Sequence, residues 1–218
     1  MADMSWRTVF TTVTVIDKFI SPCSYVFEIA FDLDTEDSEK QNTAFLRIKH
    51  LIENILDDSV LICLDNPLLP VLKKDTETTV VTFILEPMDL IIATTLWRKI
   101  EAITEGLLVI ERISISSDKS DNLCINISPD FMEDGSMLDE DPFVKYGKPA
   151  WWFRNDLGIE DWINEGDPET QIHYNVNSWP DFLEWDYTPV EEKPAEPKDN
   201  VVKLDKKWKP EVITGDKT

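Results

Sequence analysis

Glycine and histidine are scarce in this 218-residue chain, with six and two copies, and basic side chains are outnumbered about two to one by acidic ones. Six glycines spread over the whole length leave no glycine-rich loop to wrap a phosphate. The two histidines, His50 and His173, stand apart from the cysteines, which argues against a zinc site, since three or four nitrogen or sulfur donors must converge there. The same scarcity leaves a serine or cysteine nucleophile without an obvious base, and no nucleophile-elbow pattern is present. Cys23, Cys63 and Cys124 are an odd count at wide spacings, so they read as buried thiols of a reducing compartment, not as a disulfide framework. No apolar run reaches the roughly eighteen residues of a membrane span, and the start MADMSWRTVF lacks the charge and apolar core of a secretory signal. The expectation is a cytoplasmic protein that does not enter a membrane.

What the chain has in abundance is negative charge. Forty-three acidic against 21 basic residues give a net −22, which repels phosphate backbones and anionic lipid, so direct nucleic-acid binding is not expected. A protein partner with a basic or apolar surface suits this charge; mimicry of nucleic acid by an acidic inhibitor is a narrower alternative. The charge is uneven: net −10 over residues 1–128, −12 over 129–190 and zero over 191–218. A 42% apolar content is enough to fill a core.

Element patterns divide the chain in the same way. VFTTVTVI (9–16) is rich in β-branched residues, and after a break at Ser21-Pro22 a second strand alternates through Phe27, Ile29, Phe31 and Leu33. Phe45, Ile48, Ile52 and Ile55 recur at three- and four-residue steps, predicting a helix over about 42–56. SVLICL and TTVVTFIL read as short strands. Pro87 opens a second helix with Ile92, Leu96, Ile100 and Ile103 on its buried stripe, and Gly106 stops it. A strand over about 107–116 is predicted to place Val109, Glu111, Ile113 and Ile115 on one face, and NLCINI follows as a short strand. The fold class is therefore α+β: an antiparallel sheet with two helices packed on one face over 1–128, an irregular, acidic, tryptophan-rich extension over 129–190, and a linker and tail over 191–218.

No catalytic or metal-binding set emerges, and no cofactor is expected. The carboxylates of Asp32 to Asp37 lack the turn glycine of a calcium loop. His50 lies beside the first helix's apolar stripe and reads as structural. Abundant carboxylates supply many accidental pairs, and only burial would single one out. Trp151, Trp152 and Trp162 read either as a cluster holding the extension together or, with Trp179, Trp185 and Trp208, as a partner-binding surface. VVKLDKKWKPEVI (201–213) reads as a frayed tail or as a docking peptide that adds a strand to a partner.

Taken together, SYVFEIAFDLD (24–34), FLRIKHLIENIL (45–56), LDNPLL (64–69) and EPMDLIIATTLWRKIEAI (86–103) give residues 8–127 a layout that resembles the tunnelling-fold family of 6-pyruvoyltetrahydropterin and 6-carboxytetrahydropterin synthases. A ferredoxin-like arrangement is the alternative, because the pair SVLICL and TTVVTFIL is not part of that fold. The resemblance implies zinc-binding histidines where this chain has Val13, Val15 and Ser21 to Tyr25, and a nucleophilic cysteine to which Cys23 is close in position. It implies a pterin-anchoring glutamate near Ser116 or Ser117, with Glu111 a ligand-binding substitute only if the register shifts. It also implies assembly into homo-oligomeric rings. The expected function is a non-enzymatic, oligomeric interaction or structural protein of viral or phage type. A pterin- or purine-binding enzyme without zinc is the alternative from another class.

Overall fold

The computed structural model describes residues 4–33, 38–74, 77–121, 123–133, 143, 148–163, 172–174 and 177–185, with side chains for all but 162, 163 and 172–174. Residues 1–187 form one compact unit, and residues 188–218, with Trp208 and the tail, lie outside the described residues.

The chain opens with a long hairpin, β1 (Met4–Ile16) and β2 (Phe19–Leu33), turned by Asp17 and Lys18. Asp17 takes φ = 52°, a left-handed conformation that aspartate tolerates better than most side chains. Helix α1 (Ser38–His50) runs into a π-helical turn, Leu51–Leu56, and is followed by β3 (Ser59–Cys63), the one-turn α2 (Leu69–Leu72) and β4 (Val80–Phe83). Then come α3 (Asp89–Thr104), β5 (Leu108–Ser117), β6 (Ile125–Ile127) and α4 (Pro129–Glu133). Glu105 and Gly106, at φ of 51° and 79°, close α3 and reverse the chain into β5. The six strands lie in the order β4-β3-β1-β2-β5-β6.

The fold is α+β, and the sheet is mixed where an antiparallel one was expected. β1, β2, β5 and β6 pair antiparallel, but β3 runs parallel to β1 and β4 parallel to β3. Parallel neighbours need crossover connections, and α2 lies in the one between β3 and β4. Its Leu69 packs with Val15, Val60, Ile62 and Val80 on the sheet face opposite α1 and α3. The expected break at Ser21-Pro22 is also absent, because the turn comes at residues 17–18 and Pro22 sits inside β2 opposite Val13. Proline is tolerated there because β2 pairs with β5 only from Tyr25 onward, so on that side no ladder needs its missing N–H.

The main core lies between the sheet and the helix pair: Phe10, Phe27, Ile29 and Phe31 meet Ile48 and Ile52 of the first helix and Ile92, Leu96, Ile100 and Ile103 of α3. The β5 alternation departs from expectation. A bulge between Ala30 and Phe31 leaves Glu111 as the extra residue, so Ile113 and Ile115 face the core beyond it but Leu108 and Ile110 do so before it. Val109 is turned outward instead.

Described residues beyond 128 contribute to this same core, which corrects the reading of an appendage starting at 129. Met132, Phe143, Trp151, Trp152, Ile159, Trp179 and Leu183 are buried in one cluster with α3 and the sheet. The chain also covers the outer edge of β4: the Thr82 N–H donates to Ile159 O at 3.3 Å, and the Thr82 hydroxyl donates to Asp161 O at 3.0 Å. A small hairpin of β7 (Asp161–Ile163) and β8 (Ile172–Tyr174) follows.

Candidate functional site

A cleft of about 420 Å³ opens where the β1–β2 turn, the N-terminus of α3 and the end of β5 meet. Its walls are Ile16, Phe19, Pro87, Met88, Leu90 and Leu123. Phe19, Met88 and Leu123 are 77%, 56% and 67% exposed, so an unusually apolar rim faces water. The register explains the floor: Ile16 pairs with Phe19, Thr14 with Ser21 and Thr12 with Cys23, which puts alternate residues of the hairpin on the cleft side of the sheet.

Hydroxyls, one thiol and one carboxylate line that floor. The Tyr25 hydroxyl lies 3.2 Å from Thr14 Oγ1, and Asp89 Oδ2 accepts from the Ser117 N–H at 3.2 Å and its hydroxyl at 3.0 Å. The Cys23 thiol donates to Asp118 Oδ1 at 3.3 Å. Burial, reinforced by Asp118, holds that thiol above its ordinary range although Tyr25 pulls it down, and burial likewise raises Tyr25. At neutral pH the floor therefore carries Cys23 and Tyr25 in their protonated forms, and Cys23 is no ready nucleophile.

The positions assigned by the resemblance can now be placed. Cys23, Tyr25 and Ser117 converge on this cleft, but Val15 packs on the opposite sheet face, with Val13 against the same cluster. Those residues offer one protonated thiol and no nitrogen donor, so they do not fit zinc. Among the described residues no three His, Cys, Asp or Glu side chains are grouped to hold a metal ion.

Comparisons leave the family open. No family model and no curated protein matches the chain. Among solved structures, uncharacterized protein WS1659 from Wolinella succinogenes is similar at 11% identity and a TM-score of 0.42, over 58% of this chain and 97% of that one.

The tryptophans expected at a partner surface are mostly core. Trp151 and Trp152 are fully buried, and Trp179 nearly so. Trp151 donates from its indole to Thr82 O at 2.7 Å and Trp179 to Asn155 O at 2.7 Å. Burial wins because these rings fill the space beside α3 and β4 that no upstream residue fills. Trp185 is half-buried, and the side chains of Trp162 and His173 lie outside the described residues. Glu111 occupies the β5 bulge and does not line the cleft, although the register does shift there. His50 accepts or donates at 2.9 Å to Asn54 and packs edge-on to Trp179, and burial lowers its pKa, as a structural histidine requires.

Sequence reasoning missed the two buried cations that bind the C-terminal part to the helices. Arg47 of α1 donates to Leu183 O at 2.8 Å and Ile103 O at 3.3 Å, with its guanidinium 3.7 Å from the Trp185 ring centre and 4.8 Å from that of Trp179. Lys99 of α3 donates to Trp151 O, Arg154 O and Asp156 O at 3.0, 3.0 and 2.6 Å. Nothing in the sequence sets these two cations apart from their neighbours Lys49 and Arg98. Arg47→Lys keeps the charge but loses the planar fork and the ring stacking, so a loss of about 1–2 kcal/mol is expected. Denaturant midpoints, with a red shift of the tryptophan emission, would register it.

Proposed function

We propose that this protein is a non-enzymatic binding protein whose ligand is small, uncharged and largely apolar, held in the hairpin-end cleft on a tunnelling-fold-like scaffold. One observation carries the reading: Cys23, Tyr25 and Ser117, which the resemblance places at or beside the expected catalytic positions, gather in one cleft whose walls are apolar and whose floor offers hydroxyls. The antiparallel set β1-β2-β5-β6 under two helices supports the scaffold. A volume of about 420 Å³ with a few fixed polar groups is the usual form of a small-molecule site. The one carboxylate lining it, Asp89, accepts from the Ser117 N–H and hydroxyl and is not poised as a base for proton abstraction, and Lys119 is the one cation in the lining.

The expectation of rings is weakened by the same geometry. A sheet that continues from subunit to subunit needs an open edge on both sides, whereas β3 and β4 extend past β1 and residues 159–161 cover β4.

The test is a thermal-shift series with 1-naphthol, 1-naphthoate and neopterin, alongside metal analysis. 1-Naphthol at about 100 times its dissociation constant should stabilise the fold by about 2.7 kcal/mol. Phe19→Ala with Met88→Ala should weaken its binding about tenfold without a change in melting, because both side chains are exposed. Bound zinc, or stabilisation by neopterin but not naphthol, would sink the proposal. The exposed rim also suits an apolar anchor from a protein partner, which the same double variant would weaken in a pull-down while naphthol failed to bind.

A further inference from the structure

At the other end of the sheet, β6 pairs with β5 only from Ile113 to Ile115. β5 itself runs on from Arg112 back to Leu108. Along those five residues its inner side is held by β2, and its outer side has no strand partner among the described residues. Alternate backbone N–H and C=O groups there point away from the sheet, as on any open strand edge. Beside them lies a groove of about 620 Å³ between the C-terminal half of α3, the start of β5 and α4. Its apolar surface includes Leu108, Ile110 and Met132, and Arg98, Glu101 and Glu133 stand on its walls.

We propose that this edge is a docking site for an extended, cationic segment of a partner protein, which adds a strand to β5 and lays one apolar side chain into the groove. The backbone supplies the pairing, in the manner of strand addition. Charge selects the occupant. Arg98 is opposed by Glu101 at 3.1 Å and Arg112 by Glu28 at 2.6 Å, whereas Glu111 and Glu133 have no cationic partner among the described residues. The bulge that makes Glu111 unpaired in the β2 register also places a carboxylate within the open strand. A second copy of the chain is the poorer occupant, because each copy carries a net −22. This proposal does not depend on the cleft.

The experiment uses the full chain and a dye-labelled Lys-Val hexapeptide of alternating sequence, followed by fluorescence anisotropy and amide hydrogen exchange. The peptide should bind at least tenfold more tightly than its Glu-Val counterpart, with affinity falling as salt rises. N-methylation of one alternate set of its amides should abolish binding, and methylation of the other set should leave it. Glu111→Lys with Glu133→Lys should weaken binding at least tenfold while the circular dichroism melt is retained, and exchange should slow at alternate residues of 108–112. Indifference to both methylation patterns would overturn strand addition. So would protection confined to other segments, and protection of 108–112 by self-association without peptide would hand the edge to a second copy.

Discussion

A chain ending at residue 128 is expected not to fold, whereas one ending at residue 187 is expected to keep the cooperative melt of the full chain. The shorter chain loses Trp151, Trp152, Phe143, Trp179 and Leu183, all buried in the same cluster as α3 and β2. Each large aromatic removed from a core costs about 3–5 kcal/mol, so four of them, about 12–20 kcal/mol, match or exceed the roughly 5–15 kcal/mol that holds a domain together. The loss is polar as well as apolar. Without residues 151–156, the buried Lys99 ammonium has none of its three carbonyl acceptors. Without Leu183, Arg47 loses its 2.8 Å acceptor. Far-ultraviolet dichroism and a thermal melt on the two truncations decide the matter: a cooperative transition in the shorter chain would mean that the C-terminal part is an appendage after all.

Lys99→Ala is expected to cost about 3–5 kcal/mol, because it takes the ammonium donor from three carbonyls and opens a hole beside Trp151. The ammonium sits in a knot of charges: Arg154 donates to Asp161 at 2.8 Å and to Asp156 at 3.0 Å, and Asp161 accepts the Trp151 N–H at 2.7 Å. Burial raises the Asp161 carboxyl and pulls Lys99 down to about 7, the latter partly opposed by Asp156. The sign of the pH dependence follows. An unfolded lysine titrates near 10.4, so between about pH 7 and 10 the unfolded chain binds more protons at this site than the folded one. Stability should therefore rise with pH across that window, by up to about 1.4 kcal/mol per unit from this group. Lys99→Met should show a shallower rise, the remainder coming from Lys73, which burial lowers to about 8. The difference between the two chains isolates Lys99 from Lys73, which acts in the same direction in both, and from Cys23 and Cys63, whose raised pKa values act in the opposite one. Equal slopes for the wild-type chain and Lys99→Met would refute the assignment.

Much of the secondary structure was legible because it depends on near neighbours. The stripe Ile92, Leu96, Ile100, Ile103 reports a helix face whatever it packs against, and all four are buried. Alternation through Phe27, Ile29 and Phe31 likewise held. It failed in β5, where a single bulge residue swaps the two faces and leaves no trace in the pattern of apolar residues. Strand direction was illegible for a related reason. Four residues of Val, Thr and Phe in β4 look the same in a parallel and an antiparallel ladder, and only the path of the chain between β3 and β4 sets the direction.

The candidate cleft was only partly readable. Its lining comes from residues 14–25, 87–90 and 117–125, three stretches whose meeting depends on strand order. The tryptophans misled in the opposite sense. Composition marks a tryptophan as an anchor for either a core or a partner, and burial decides which.

Sequence alone determined the acidity, the scarcity of metal donors and glycine, the helix faces and the α+β class, because each is a property of composition or of spacing along a few turns. Tertiary structure decided that the sheet is mixed, that Phe143, Trp151, Trp152, Trp179 and Leu183 complete the core, and that Arg47 and Lys99 are buried cations instead of surface ones. The reason is physical: a charge on a helix is stable inside only if carbonyls and rings from distant segments surround it, and no local pattern records where those segments return.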